Sequence, residues 1–376
     1  MKTHRMLAVL SGLLLASITG QGQTYSFTTV VNNAASPVKD QAVSGTCWCF
    51  STISFLESEL IRTGKGELDL SEMFVVRENY NNRIEDNYLR QGKGNLGEGS
   101  LFHMALNAIR EKGIVPESVY SGLTYGKTEH HHAAMNAYLQ AIAGAAVELK
   151  DRSQEGKDLQ QAALDIFLGP LPQDFEVNGK IHTPQSYWAS LGLDLDDYIL
   201  ITSFTHHPFY EAISLEIPDN WNHGRFYNVP LDELVAITNH ALENGYTVGW
   251  DGDVSEVGYA AFFKNGYTLN PKDKSRSTQE WSQCTERVEE EVVSQESRQH
   301  SFEQFTTTDD HLEHITGIAT DQYGTLYYIT KNSWNTDCNA TEGYHYLSES
   351  YFREKTVCIL INKESLPKSI RKKFHL

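Results

Sequence analysis

A cysteine stands where a helix is predicted to begin. The run Gln41-Ala42-Val43-Ser44-Gly45-Thr46-Cys47-Trp48-Cys49-Phe50-Ser51 passes from a Ser-Gly-Thr turn into a segment whose apolar residues Cys49, Ile53, Leu56 and Leu60 recur on one helical face, with Gly64 as its stop. Cys47 falls in the first turn, where unpaired amides and the positive end of the helix dipole favour an anion. That placement predicts a thiol that titrates below its ordinary range and acts as a nucleophile. Six residues upstream, Gln41 offers an amide that can donate a hydrogen bond beside the Cys47 N–H, the pair of donors an acyl-transfer oxyanion requires. A thiolate nucleophile also needs a base that returns a proton to the leaving amine, and a third group that holds the base. His311, opening a strand-like run, and Asn332, closing another, supply those types, with His314 as the competing histidine.

The elements that position these residues can be read in chain order. Residues 24–31 alternate as an edge strand, and Ser36-Pro37-Val38-Lys39-Asp40 is loop chemistry leading to Gln41. Ser71 is the predicted N-cap of a helix over 73–80. The loop from Gln91 to Ser100 contains Gly92, Gly94, Gly97 and Gly99, an open backbone suited to tight turning or to binding an extended peptide. Residues 100–112 read as a helix closed at Gly113, and 135–167 are Ala-rich and helix-prone. From Asp197 onward short β-type runs dominate, over 198–202, 210–217, 225–229, 246–250, 259–263 and 324–330, interrupted by one helix over 230–244. The pattern predicts an α+β fold with a helical lobe over about 41–195, a β-rich lobe over about 196–365 and a cleft between them. Residues 271–304 form a charge-dense insert, read as a solvated helix. His130-His131-His132 and His206-His207 read as solvated turns, because adjacent side chains diverge and no carboxylate cluster flanks them in sequence.

Composition narrows the partners. The 376-residue chain has a formal net charge of −18, which argues against nucleic acid or an acidic membrane surface as partner. Residues 1–22 combine Lys2 and Arg5, an apolar run over 6–16 too short to span a bilayer, and a small-residue exit at Gly20-Gln21-Gly22. They are predicted to be a secretory signal peptide, leaving an exported, periplasmic or secreted domain over 23–376 that is not inserted in a membrane. Five cysteines, Cys47, Cys49, Cys284, Cys338 and Cys358, leave at least one unpaired, and their spacing is not of the metal-binding kind. No metal or organic cofactor is implied.

Together these residues resemble the papain superfamily, and within it the bleomycin hydrolase and aminopeptidase C branch. The resemblance rests on Gln41 six before Cys47, Ser-Gly-Thr-Cys-Trp, Thr308-Asp309-Asp310-His311, Lys331-Asn332-Ser333-Trp334, Asp197-Tyr198 before His207-Pro208, Asn228-Val229-Pro230, and Gly249-Trp250-Asp251-Gly252-Asp253-Val254. It implies a papain-like two-lobed fold and a cysteine peptidase acting on peptides or proteins. Cys47 would be the nucleophile, His311, six before Gly317, the general base and acid, Asn332 its orienting partner, and Gln41 the oxyanion donor. Trp334 would shield the Asn332–His311 contact, the loop at Gly97 and Gly99 would clamp substrate backbone, and Trp250 would border the cleft. The branch includes homohexamers, typically cytosolic. It also has a C-terminal tail whose carboxylate holds the substrate's amino group, whereas this chain ends Lys368-Ser369-Ile370-Arg371-Lys372-Lys373-Phe374-His375-Leu376, and Asn335 replaces the family's glycine. The alternative is a catalytically silent peptide-binding protein on the same fold.

Overall fold

The structure, a computed structural model, describes residues 25–376, so the predicted leader over 1–22 lies outside the described residues. The described residues form two lobes on either side of a central helix. The first lobe is built from α1 (Cys47–Arg62), α2 (Glu72–Leu89), α3 (Phe102–Lys112), α4 (Ala133–Leu149), α5 (Gln154–Leu168) and α6 (Pro184–Leu191). The second is organised on a sheet that takes its first strand, β1 (Phe27–Asn32), from ahead of α1. A small hairpin, β2 (Phe175–Val177) with β3 (Lys180–His182), stands apart from that sheet.

The remaining strands are β4 (Tyr198–Thr202), β5 (Ala212–Ile213), β6 (Phe226–Asn228), β7 (Val248–Gly252), β8 (Tyr267–Thr268), β9 (His311–Asp321), β10 (Leu326–Lys331), β11 (Tyr344–Ser348) and β12 (Thr356–Asn362). They run β5-β6-β4-β12-β7-β9-β10-β11-β8, with β1 added to the far half of β9. Strand β9 is the hinge of this order, pairing antiparallel with β7 over its first residues and with β10 and β1 farther along. α7 (Leu231–Glu243) packs on the sheet through Leu234, Ile237 and Leu242.

The helix expected over 48–63 forms with its stop at Gly64, which takes a left-handed φ of +77°. Its polar face is buried along with its apolar one, because α1 lies between the lobes. Ser51 Oγ donates to the Glu313 carbonyl at 2.6 Å, Ser54 Oγ bonds His314 Nδ1 at 2.8 Å, and Glu59 accepts from Asn362 at 2.8 Å. Those contacts hold α1 to β9, which carries His311 and His314, and to the end of β12. The loop before Cys47 is anchored by Lys39, whose Nζ reaches Glu57 at 3.0 Å and Glu72 at 2.7 Å.

Four local expectations change. Residues 259–263 form a short 3-10 turn (Val257–Ala261) running into α8 (Phe262–Asn265), not a strand, because their backbone bonds locally, the Tyr259 N–H to the Glu256 carbonyl at 3.0 Å and the Gly266 N–H to the Phe262 carbonyl at 3.1 Å. Only Ala212–Ile213 of 210–217 joins the sheet, Tyr210 having a left-handed φ of +66°. The helix-prone stretch divides at Lys150, also left-handed, with Ser153 capping α5. The charged insert is not a solvated helix. It holds α9 (Thr278–Ser282), with Trp281 buried, and α10 (Gln295–Glu303), whose fully buried Arg298 donates to the carbonyls of Ser203 and Arg353 at 2.8 and 2.9 Å.

Candidate active site

His311 is the first residue of β9 and Asn332 follows the last residue of β10, so the antiparallel pairing of these strands brings them together. His311 Nε2 meets Asn332 Oδ1 at 2.9 Å. The direction of this bond is set by a chain of buried partners. Glu313 lies two residues along β9 on the same face as His311. Burial opposes its ionisation, but its contacts with His345, then with His311 and Tyr259, hold it below the ordinary carboxylate range. As a carboxylate it only accepts, so Tyr259 Oη donates to Glu313 Oε1 at 2.6 Å and in turn accepts from Asn332 Nδ2 at 3.0 Å. Asn332 Oδ1 therefore faces His311 and accepts from Nε2–H, leaving Nδ1 of the imidazole without a proton. Glu313 Oε1 is itself 3.8 Å from His311 Nε2, and its second oxygen bonds His345 Nε2 at 2.9 Å. Glu313, Tyr259 and His345 were not singled out by sequence reasoning. The available signal was a carboxylate at i+2 from the base in a strand.

Trp334 covers this pair, its ring 4.6 Å from that of His311 and tilted 30° to it, as a shield requires. Asn335, in the glycine position of the resemblance, adopts a left-handed φ of +69° that asparagine tolerates, so the turn is retained. His314 points to the opposite face, bonded to Ser54, and burial lowers its basicity. It belongs to the α1 contact and not to the site.

Gln41 is buried and gripped on both sides of its amide. Its Oε1 accepts from Ser333 Oγ at 2.7 Å and its Nε2 donates to the Ser44 carbonyl at 2.8 Å, leaving one N–H to donate elsewhere. The first amides of α1, including that of Cys47, lack acceptors within the helix. The thiol itself departs from expectation. Burial pushes Cys47 up to about 12, outweighing hydrogen bonds from the backbone of Leu312 and of Trp48, with Asp309 and Asp251 adding to the rise. Burial likewise lowers His311, against the opposing pull of Glu313 and Asn332. Both shifts disfavour the charged forms of these groups. The helix start does not ionise Cys47, because loss of solvent outweighs the helix-end field in a closed site.

Two family models divide the chain. The Peptidase C1-like family matches residues 172–376, and the Papain family cysteine protease model matches residues 25–183. The chain belongs to the Peptidase C1-like family. It is a cysteine peptidase. Aminopeptidase G of Lactobacillus delbrueckii subsp. lactis is 22% identical over 88% of this chain and 82% of its own, and aminopeptidase E of Lactobacillus helveticus is 23% identical over 95% and 88%. Cysteine proteinase 1, mitochondrial, of Saccharomyces cerevisiae is 23% identical over 93% and 79%. Among solved structures, PepW from Lactobacillus rhamnosis HN001 (DR20) superposes with a TM-score of 0.68 at 18% identity, covering 93% of this chain and 84% of that one, which supports the papain-like fold.

Within this C1-like peptidase, the glycine loop lies against the nucleophile's loop. Glu98 accepts from the Gly45 N–H at 2.8 Å, and its carbonyl accepts from Trp48 Nε1 at 3.1 Å. Gly97 uses its own N–H within the loop, on Asn95 Oδ1 at 2.8 Å, and a side chain at Gly99 would strike Asp219. Trp250 does not border the cleft. It is fully buried, with Nε1 donating to Thr356 Oγ1 at 2.8 Å, because the pleat turns it into the sheet core and presents Asp251 on the other face. The His130-His132 turn is not wholly solvated either. His132 is buried, and its N–H donates to the Val43 carbonyl at 3.1 Å, bracing the loop before Cys47. All five cysteines are free thiols.

Among the described residues, His206, His207 and Glu216 group three potential metal-ligand atoms within 4.8 Å of one another. Their proton placement does not suit a metal. Gln299 Oε1 accepts from the Thr205 N–H at 2.6 Å, so its Nε2 donates to His206 Nδ1 at 3.0 Å. The His206 proton then sits on Nε2 and goes to Glu216, where a ligand would need a bare nitrogen.

Three outcomes follow from this geometry. Because the thiol is raised, the thiolate fraction grows about tenfold per pH unit, so the rate of Cys47 alkylation by iodoacetamide climbs through about pH 9 and shows no plateau from about pH 5. A flat rate between those values would contradict the raised thiol. Glu313→Gln removes a charge that favours the imidazolium, so the acid limb of kcat/KM moves to lower pH and kcat falls by about tenfold, the equivalent of ~1.4 kcal/mol. Tyr259→Phe, which breaks the chain but keeps the carboxylate, lowers kcat with a smaller shift of that limb.

Proposed function

We propose that this C1-like peptidase is an exported enzyme that hydrolyses peptide bonds through a thiolate nucleophile and an acyl-enzyme intermediate, with aminopeptidase action. The observation that carries the mechanism is the directed His311–Asn332 bond, which leaves the imidazole Nδ1 as a proton acceptor beside the start of α1. His311 takes the Cys47 proton as Sγ attacks the scissile carbonyl. Gln41 and the Cys47 N–H donate to the oxyanion, and the His311 imidazolium gives its proton to the departing amine. Water, activated by the same imidazole, then releases the acyl group. The naming of relatives as aminopeptidases supports the exopeptidase reading. The composition of residues 1–22 supports export.

Purified enzyme is expected to cleave peptides under reducing conditions, with Cys47→Ser abolishing turnover and Gln41→Ala lowering kcat by about 10²–10³. Hydrolysis that survives Cys47→Ser would refute the mechanism, whereas stoichiometric Cys47 alkylation without hydrolysis of any peptide would favour a silent binder. Export predicts that protein recovered outside the cytoplasm begins near Gln23 on N-terminal sequencing. An intact Met1 in that fraction would count against a cleaved leader.

A further inference from the structure

Helix α10 ends in a turn suited to glycine and filled by phenylalanine. The Phe305 N–H donates to the Phe302 carbonyl at 3.1 Å and the Thr306 N–H to the Ser301 carbonyl at 2.9 Å, the paired closure that puts the residue after the cap in the left-handed region. Phe305 holds that place with a φ of +57°. Glycine takes this conformation freely, whereas a bulky side chain is strained in it, and burial returns little because Phe305 is 83% exposed. Folding does not account for an aromatic ring at this point.

The ring lines an apolar space. With Phe302, Ile217, Pro218, Thr308 and Asp309 it surrounds a cavity of about 630 Å³, a size that accommodates a ligand group. Each wall is fixed from behind. Phe302 packs on Phe204 at 4.2 Å and stacks on His206 at 5.5 Å, 9° from parallel. The wall of Ile217 and Pro218 is tied to the glycine loop, where Asn95 Nδ2 donates to the Pro218 carbonyl at 3.0 Å and to Asp219 Oδ1 at 3.1 Å. That loop is the one whose Glu98 holds Gly45 and Trp48 beside Cys47. The wall of Thr308 and Asp309, with the Thr308 N–H held by Asp253 Oδ2 at 3.0 Å, runs directly into His311 at the start of β9. The cavity is therefore bounded by segments anchored to the nucleophile's loop and by the segment that delivers the base.

Resting on the peptidase reading above, we infer that this cavity receives a large apolar side chain of the peptide substrate, aromatic or branched aliphatic, from a residue near the scissile bond, and that Phe305 selects it. The occupant follows from what the walls lack. Phe305 has its ring in water, and a bulky apolar group seated in the cavity would cover it, whereas alanine or glycine would leave it wet. The exposed carboxylates Glu216 and Glu303 line the same space, so an acidic side chain is opposed there.

The test measures kcat/KM under reducing conditions for a short peptide in which each position in turn is alanine, phenylalanine, leucine or glutamate. The expected result is one position at which phenylalanine and leucine exceed alanine by at least about tenfold, with glutamate below alanine. Phe305→Gly supplies the residue that the helix end favours, so its Tm should not fall, while the tenfold ratio drops to within about threefold. In parallel, the Cys47→Ser protein should bind the phenylalanine peptide at least about tenfold more tightly than the alanine peptide, a difference lost when Phe305→Gly is added. Equal cleavage of all members by the unaltered enzyme overturns the inference while leaving the peptidase reading intact. A ratio that survives Phe305→Gly overturns it as well. A lowered Tm in Phe305→Gly would assign the ring to folding and also overturn it. Failure of the unaltered enzyme to cleave any member would overturn the peptidase reading and the inference with it.

Discussion

The catalytic half of this molecule depends on the direction of one buried hydrogen bond, from His311 to Asn332, and that direction originates at Glu313. A carboxylate cannot donate, so Tyr259 must, and the amide of Asn332 is left one way to turn. The tautomer of the imidazole follows from a charge two residues away on its own strand, with His345 satisfying the other oxygen. Taking Glu313 out of water is costly, and the cost is offset because each oxygen meets a donor, Tyr259 Oη at 2.6 Å and His345 Nε2 at 2.9 Å. The same field opposes the burial that lowers His311.

The second dependence is mechanical. Cys47 and His311 sit on different lobes, and α1 packs against β9. Its serines and glutamates make the contacts to the Glu313 carbonyl, to His314 and to Asn362, so the polar face of the helix is the joint between lobes. Gln41 is held across the same joint by Ser333, the chain neighbour of Asn332, so Gln41 and Asn332 are fixed through one contact. Misalignment of the lobes would therefore disturb donor, base and nucleophile together.

Electrostatics around the thiol are arranged for a change of state. Loss of solvent raises Cys47, and Asp309 and Asp251 raise it further, so the enzyme without substrate stores its proton on sulfur.

By itself the sequence determined the helix start at Cys47, the six-residue gap to Gln41, the strand placement of His311 and Asn332, and the split into helical and β-rich halves. Those features rest on local periodicity, caps and turn chemistry, which a chain carries wherever it folds. Tertiary structure alone decided the rest, because burial and partners across the sheet cannot be read along a chain. It turned Trp250 into the core and Asp251 toward the Cys358 thiol, made a helical turn of residues 259–263 so that Tyr259 reaches Glu313, and drew Arg298 of the charged insert under the second lobe. It also reversed the expected titration of Cys47. Position at a helix end is a local property, but desolvation depends on everything that closes over the site, and here desolvation is the larger effect.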